Sequence, residues 1–209
     1  MPFSVLEQVL GRPAKDAECD LMQAFAGWLG TEGADAGGIG PHESSRLWDR
    51  HLLDSAAFST CWSTPPTECL DLGSGAGLPG IVLAILWPGT EMLLVDRSGR
   101  RARLMRRAIR ILGLENVSVV QRDVFELAGE REALVMRATL PPASAAGLCG
   151  DLLAPGGQAV VGLSRSQAPR SAEQWTKQGE AVGVPGLETR IEAVKVLDPP
   201  AWMLIMSKS

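Results

Sequence analysis

Apolar residues recur at helical spacing twice near the start of the chain, first as Val5, Leu6, Val9 and Leu10, then as Leu21, Met22, Phe25 and Trp28. The stretch from Gly30 to Pro41 holds five glycines and closes on Gly40-Pro41, which predicts a loop. From Glu43 to Phe58 a helical pattern resumes, with Leu47, Trp48, His51, Leu52 and Ser55 on one side. Beyond residue 67 short apolar runs alternate with helical patterns. Glu68 to Leu72 predicts a strand, followed by a glycine loop and an apolar helix from Ile81 to Trp87. A strand from Met92 to Val95 closes on Asp96, a helix runs from Ser98 to Leu112 and stops at Gly113, and Val117 to Gln121 is a further strand. This alternation with short links predicts parallel βαβ units in a doubly wound α/β sheet. Residues 165–209 begin polar and end in two predicted strands. The organisation expected is an N-terminal helical extension over 1–62 and a core over 63–209, together one compact domain.

Composition narrows the class. At 209 residues, 45% hydrophobic and 21% charged, the chain has the profile of a soluble globular protein. No apolar run approaches the ~18 residues of a membrane span, and the N-terminus lacks the basic-then-apolar order of a secretory signal. A cytoplasmic location without membrane contact is therefore expected. Cys19, Cys61, Cys69 and Cys149 are scattered without metal-ligand pairing, and His42 and His51 are the only histidines. Neither a metal site nor a Ser-His-Asp triad is expected. A net charge of −4 argues against indiscriminate nucleic-acid binding. Yet 16 of the 20 basic residues are arginine, and seven lie between Arg97 and Arg110. That run is either the solvated face of a helix whose Leu104, Ala108 and Ile111 pack inward or a phosphate-contacting face. Its density of one charge sign favours phosphate contact, because like charges on neighbouring turns repel without a partner.

Ligands of doubly wound sheets sit at the carboxyl ends of the strands, where Asp71-Leu72-Gly73-Ser74-Gly75-Ala76-Gly77 falls. Glycines there allow a sharp turn and close backbone approach to a ligand. The amides of the following helix start are expected to receive the ligand's polar groups, with Pro79 in its first turn. Asp96 is placed to accept hydrogen bonds from ribose hydroxyls. Gly75-Ala76-Gly77-Leu78-Pro79-Gly80 also satisfies the G-x-G-x-x-G spacing of a dinucleotide loop, which alone is weak evidence. Asp71, two positions before Gly73, and a sheet that begins behind a helical extension favour S-adenosylmethionine (SAM) over a nicotinamide cofactor.

Three segments then fit one pattern: Arg50-His51-Leu52-Leu53-Asp54-Ser55; Asp71 through Gly77 continuing into Leu78-Pro79-Gly80-Ile81; and Leu94-Val95-Asp96 with Gly99-Arg100-Arg101. They resemble the RsmG (GidB) family of small-subunit (16S) rRNA guanine-N7 methyltransferases. The likeness runs from about residue 46 to 126 and returns at Arg137-Ala138. It implies a Rossmann-like class I SAM-dependent methyltransferase fold. It also implies a cofactor whose amino-acid end lies over Gly73, Gly75 and Leu78, whose ribose meets Asp96, and whose adenine lies near Asp123, Val124 and Phe125. By the same resemblance Arg137 lies by the cofactor and the reactive site, and Arg100, Arg101 and Arg103 face RNA phosphates. The implied partner is small-subunit rRNA or an assembling small ribosomal subunit, and the implied product S-adenosylhomocysteine.

Guanine N7 carries a lone pair and no proton, so its methylation needs no general base and rests on orientation. No catalytic residue is assigned on residues alone; Arg137 and His51 are the candidates, with a buried salt bridge and an interior histidine as their structural alternatives. Cytosine-C5 chemistry needs a nucleophilic cysteine, and Cys149 has no such setting. Thr139-Leu140-Pro141-Pro142-Ala143 only superficially resembles an amino-methylating motif and predicts a helix entry. Trp62 and Trp175 are candidates for base stacking if exposed. The chain departs from the family where its Asn-Leu-Thr segment is replaced by the glycine-rich loop after Trp28. It departs again at Leu163-Ser164, which stands in place of a lysine with Arg165 as the nearest base. The remaining alternatives are a diverged methyltransferase for another nucleic acid or a small molecule, a non-catalytic SAM-binding protein, and an NAD-dependent oxidoreductase.

Overall fold

Apolar residues on both sides of successive strands demand cover on both faces, and the computed structural model, described here for residues 2–40, 43–137, 140–165 and 186–209, meets that demand. Seven strands form one sheet in the order β3-β2-β1-β4-β5-β7-β6. They are β1 (Glu68–Leu72), β2 (Glu91–Asp96), β3 (Val117–Gln121), β4 (Arg131–Arg137), β5 (Leu153–Gly162), β6 (Leu187–Val194) and β7 (Ala201–Lys208). The first five pair in parallel, while β7 lies antiparallel between β5 and β6. The order of strand addition reverses between β1 and β4, the switch point where open α/β sheets place ligands.

Alternation splits the buried residues. In β4, Ala133 and Val135 face one apolar cluster with helices α1 (Pro2–Leu10), α2 (Asp16–Trp28), α4 (Gly80–Leu86) and α5 (Gly99–Leu112). Leu134 and Met136 face a second cluster with α6 (Pro142–Leu152). Leu6, Met22, Phe25 and Phe58 belong to the same core as Ile81, Met105 and Ile205, so the N-terminal helices share the apolar interior of the sheet.

The predicted strands lie where expected, and Ser98 caps α5 by accepting from the Arg101 amide while Gly113 ends it in the left-handed conformation. Pro142 begins α6, the expected helix entry. Four local readings are corrected. Residues 29–33 continue α2 as a π-helix before the chain turns, because Leu29 is buried in the core and holds the backbone helical. The segment after Glu43 is a 3-10 turn (Ser44–Arg46), a π-helix (Leu47–Leu53), α3 (Asp54–Ala56) and a 3-10 turn (Ala57–Cys61), rather than one regular helix. Pro79 is the N-cap of α4 instead of its first turn. Ile111 is 51% exposed, the inward positions of α5 being Ala102, Leu104, Met105, Ala108 and Leu112. Pro155, Gly156 and Gly157 lie within β5 at a register shift against β4. Among the described residues no helix is long and apolar enough to cross a membrane.

Candidate active site

The glycine loop closes on itself through one carboxylate. Asp71 lies fully buried near the end of β1, and its Oδ2 accepts from the Gly80 amide at 2.8 Å, tying the start of α4 to the strand. Its Oδ1 is buried without a hydrogen-bond partner, and burial pushes the carboxyl up to about 7. The Gly73 and Ser74 amides donate to the Val95 carbonyl at 2.8 and 3.0 Å, and those of Gly77 and Leu78 donate to the Ser74 carbonyl. The Ile81 amide donates to the Gly77 carbonyl. The Gly80 and Ile81 amides at the start of α4 are thus engaged by Asp71 and Gly77. An anionic pyrophosphate would find those donors taken and a buried carboxylate behind them. SAM has no phosphate and carries a cationic sulfonium, so this loop fits SAM and not a dinucleotide.

Open space lies over Gly75. A side-chain carbon added there would approach nothing closer than the Gly73 carbonyl at 4.0 Å, although φ of +62° strains any other residue. At Gly80, by contrast, an added carbon would collide with Leu94 and stand 2.7 Å from Asp71 Oδ2. Asp96, 3% exposed at the end of β2, accepts from the Gly75 amide at 3.1 Å and the Ser98 amide at 2.8 Å. Arg101 Nη1 lies 3.5 Å from the same carboxylate. A carboxylate offers about four acceptor positions, so Asp96 is oriented with capacity left for a ribose diol. Asp123 caps the 3-10 turn Val124–Glu126 by accepting from the Phe125 amide at 3.2 Å. Val124 is buried under the rim, and the Phe125 side chain stands out at 63% exposure. The Leu78 side chain is buried in the core. The glycine-rich N-terminal loop lies against this rim: an added carbon at Gly38 would stand 2.8 Å from Leu104 and 3.2 Å from Ala76, and one at Gly37 would stand 3.1 Å from Arg100.

Across the switch point, charged side chains replace backbone. Arg137 ends β4 and donates from Nη1 to the Arg50 carbonyl at 3.2 Å, with Nη2 3.4 Å from His51 Nδ1. A guanidinium only donates, so Nδ1 accepts; Nε2 then carries the imidazole proton and donates to Glu43 Oε2 at 3.0 Å. Burial first, then the Arg137 charge, holds the His51 pKa below its ordinary value, against the opposing pull of Glu43. His51 is therefore a neutral imidazole with both nitrogens engaged. Asp54 pairs with Arg165 at 2.7 Å and lies 3.8 Å from Arg50 Nε. Arg165 itself is buried, so it does not stand as an exposed base in place of the missing lysine. The pairing of His51 with Glu43 and of Asp54 with Arg165 escaped the sequence reading, which had Asp54 only inside the Arg50–Ser55 motif and Arg165 only as the nearest base. The Arg137-Ala138 pairing and Thr139 reach partly outside the described residues, as do Pro41, His42 and Trp175.

Arg100, Arg101 and Arg103 are exposed on α5, and of the three Arg101 lies by Asp96. Trp62 is half-buried edge-on against Trp87, centroids 5.4 Å apart, and so is not a free stacking platform. Cys149 lies buried in α6 with its thiol pushed well up by burial, which removes it as a nucleophile.

Residues 18–189 match the family model GidB, rRNA small subunit methyltransferase G. The chain belongs to this family. Ribosomal RNA small subunit methyltransferase G of Salinispora arenicola is 35% identical over 88% of this chain and 79% of its own length. The enzyme of the same name from Acidothermus cellulolyticus is 36% identical over 83% and 79%. Among solved structures, a SAM-dependent methyltransferase from Aquifex aeolicus superposes with a TM-score of 0.57 at 15% identity, over 82% of this chain and all of that one. The SAM-bound magnesium protoporphyrin IX methyltransferase of Synechocystis gives 0.60 at 13% identity, over 94% and 99%. Those two likenesses carry the fold alone, a Rossmann-like methyltransferase sheet. Family and fold together make the protein a SAM-dependent methyltransferase, as Asp71 and the glycine loop implied.

Proposed function

We propose that the protein transfers a methyl group from SAM to guanine N7 of small-subunit ribosomal RNA, either on free rRNA or within an assembling small subunit in the cytoplasm. One observation supports this target atom above others. His51, the neutral base beside Arg137, has both ring nitrogens committed, Nδ1 to Arg137 and Nε2–H to Glu43. It has no lone pair left to take a proton from a substrate. A site so arranged suits a nucleophile that arrives with a lone pair and loses no proton, and N7 is the most nucleophilic such atom in guanine. SAM supplies the electrophilic methyl on a sulfonium centre when bound.

The chain's part is to orient and to exclude water. Gly73, Gly75 and Leu78 border the space for the cofactor's amino-acid end, Asp96 is turned to hold its ribose, and Asp123, Val124 and Phe125 flank the adenine. Arg137 holds one wall of the reaction space and keeps a fixed positive charge there. Holding nucleophile and methyl in line is worth several orders of magnitude by itself. Arg100, Arg101 and Arg103 meet phosphates at the rim and fix the RNA's register without reading its bases.

The decisive measurement is a nucleoside mass map of small-subunit rRNA from a strain lacking the gene. Loss of one N7-methylguanosine, restored by the wild-type gene, is expected, and its persistence would end the assignment. Methyl transfer in vitro to naked rRNA and to isolated small subunits then separates the two substrate forms.

A further inference from the structure

The π-helix Leu47–Leu53 meets the sheet through two arginines from neighbouring strands. Arg137, the last residue of β4, donates to the carbonyl of Arg50. Arg165, three residues beyond the end of β5, donates from the same Nη1 to the carbonyl of Asp49 at 3.3 Å and to Asp54 Oδ1 at 2.7 Å. Consecutive carbonyls of one wide turn are therefore caught by two guanidinium groups from adjacent strand ends. Arg165 Nε is fixed in turn on the Pro199 carbonyl at 2.7 Å, in the link between β6 and β7. Its side chain is 2% exposed.

As a stabilising device this arrangement is poor. Burying a carboxylate and a guanidinium costs desolvation that an apolar pair would avoid. The Arg165 Nη2 donors are buried with no hydrogen-bond partner among the described residues, a further cost. Burial also raises the Asp54 pKa despite the arginines around it. What the pair supplies is geometry: it fixes Asp49 and Asp54 on either side of Arg50 and His51, both of which contact Arg137.

We infer that Arg165, through its ion pair with Asp54, is a positioning residue that holds the π-turn in register so that Arg50 and His51 set Arg137 in the reaction space. This rests on the proposed methyl transfer to rRNA. Arg165 touches no reacting atom. The sequence offered it only as a nearby base, and the structure turns it inward.

The test uses the full-length protein with Arg165→Met, Arg165→Lys and the double change Arg165→Met with Asp54→Leu. For Arg165→Met, kcat should fall at least tenfold, with KM for small-subunit RNA and SAM affinity by calorimetry each within twofold of wild type. Arg165→Lys, which keeps the charge on Asp54, should recover part of that loss. The double variant should recover thermal stability, since no lone charge stays buried, and yet keep the low kcat. A double variant that regains kcat together with stability, or an Arg165→Met enzyme with wild-type kcat, overturns the inference.

A readout independent of RNA is the 15N spectrum of His51, one of only two histidines in the chain. Wild type should show an acceptor-type Nδ1 and a protonated Nε2, and Arg165→Met should average the two signals as Arg137 lets go. Unchanged His51 signals in a folded Arg165→Met protein reject the inference even if wild type proves inactive on rRNA. Wild-type inactivity with altered His51 signals rejects only the substrate assignment.

Discussion

The two halves of the proposed active site are built from different materials. On the cofactor side, backbone amides are held by carboxylates close in sequence: Asp71 grips the Gly80 amide, Asp96 grips those of Gly75 and Ser98, and the partners lie within 21 residues of each other. On the substrate side, positions are held by charged side chains reaching from β4 and β5 to the π-helix, 86 to 116 residues away in sequence. At Gly77 and Gly80 the first half tolerates almost no change of volume. The second depends on which charges are present. That contrast can be tested residue by residue.

The largest effect belongs to Gly80. Its missing Cβ is what lets α4 start against Leu94 and Asp71. Gly80→Val should destabilise the fold by about 3 kcal/mol or more, as overpacked interiors do, and abolish SAM binding. Urea denaturation and calorimetry measure both. A variant that folds and binds like wild type would show that the loop yields more than its packing allows.

This difference in materials also explains what was legible beforehand. The strands, the glycine loop, Asp96 and the span of α5 are local signals, carried by period-2 runs, glycines and caps within a few residues. The continuation of α2 past Leu29 was not, since burial of Leu29 in the tertiary core overrides the glycines around it. Nor was the inward turn of Arg165, whose partners Asp49, Asp54 and Pro199 lie 34 to 116 positions away. Ile111 shows the same limit from the other side. Its spacing suggested an inward face, but Leu104, Met105 and Ala108 fill that face and leave it exposed. Local pattern reports that a charge or an apolar residue is there; only the fold decides which way it points.

Asp71 lets the cofactor half be tested by pH. Its folded pKa of about 7 lies above the ordinary carboxyl value of 3.8, so the folded state holds the extra proton between those values. The stability this proton adds is therefore complete at low pH, declines as pH rises from about 4 towards 7, and is gone above it. Asp71→Asn, neutral at every pH, should remove a slope of up to about 1.4 kcal/mol per pH unit from the wild-type curve in that window. Parallel curves for the two proteins would mean that Asp71 is ionised throughout.

A smaller effect is expected at Asp96. Asp96→Asn keeps the shape but gives up a charged acceptor, worth roughly 1.5–3 kcal/mol. SAM should bind about 10- to 100-fold more weakly by calorimetry, with kcat at saturating SAM close to wild type. A fall in kcat without loss of affinity would move Asp96 from holding the cofactor to shaping the reaction.

The smallest effect marks the seam between the halves. Arg103 is exposed on α5, whereas Arg101 also lies 3.5 Å from Asp96. Removing one phosphate-binding arginine should weaken RNA binding at low salt and lower the slope of log affinity against log salt by about 1. Arg103→Ala should do this alone and leave SAM affinity unchanged. Arg101→Ala should do the same and also loosen SAM, because the Asp96 carboxylate is then without a charge that helps to orient it. If both variants behave alike in SAM titrations, Arg101 belongs wholly to the RNA face and the two halves of the site meet only through the substrates they hold.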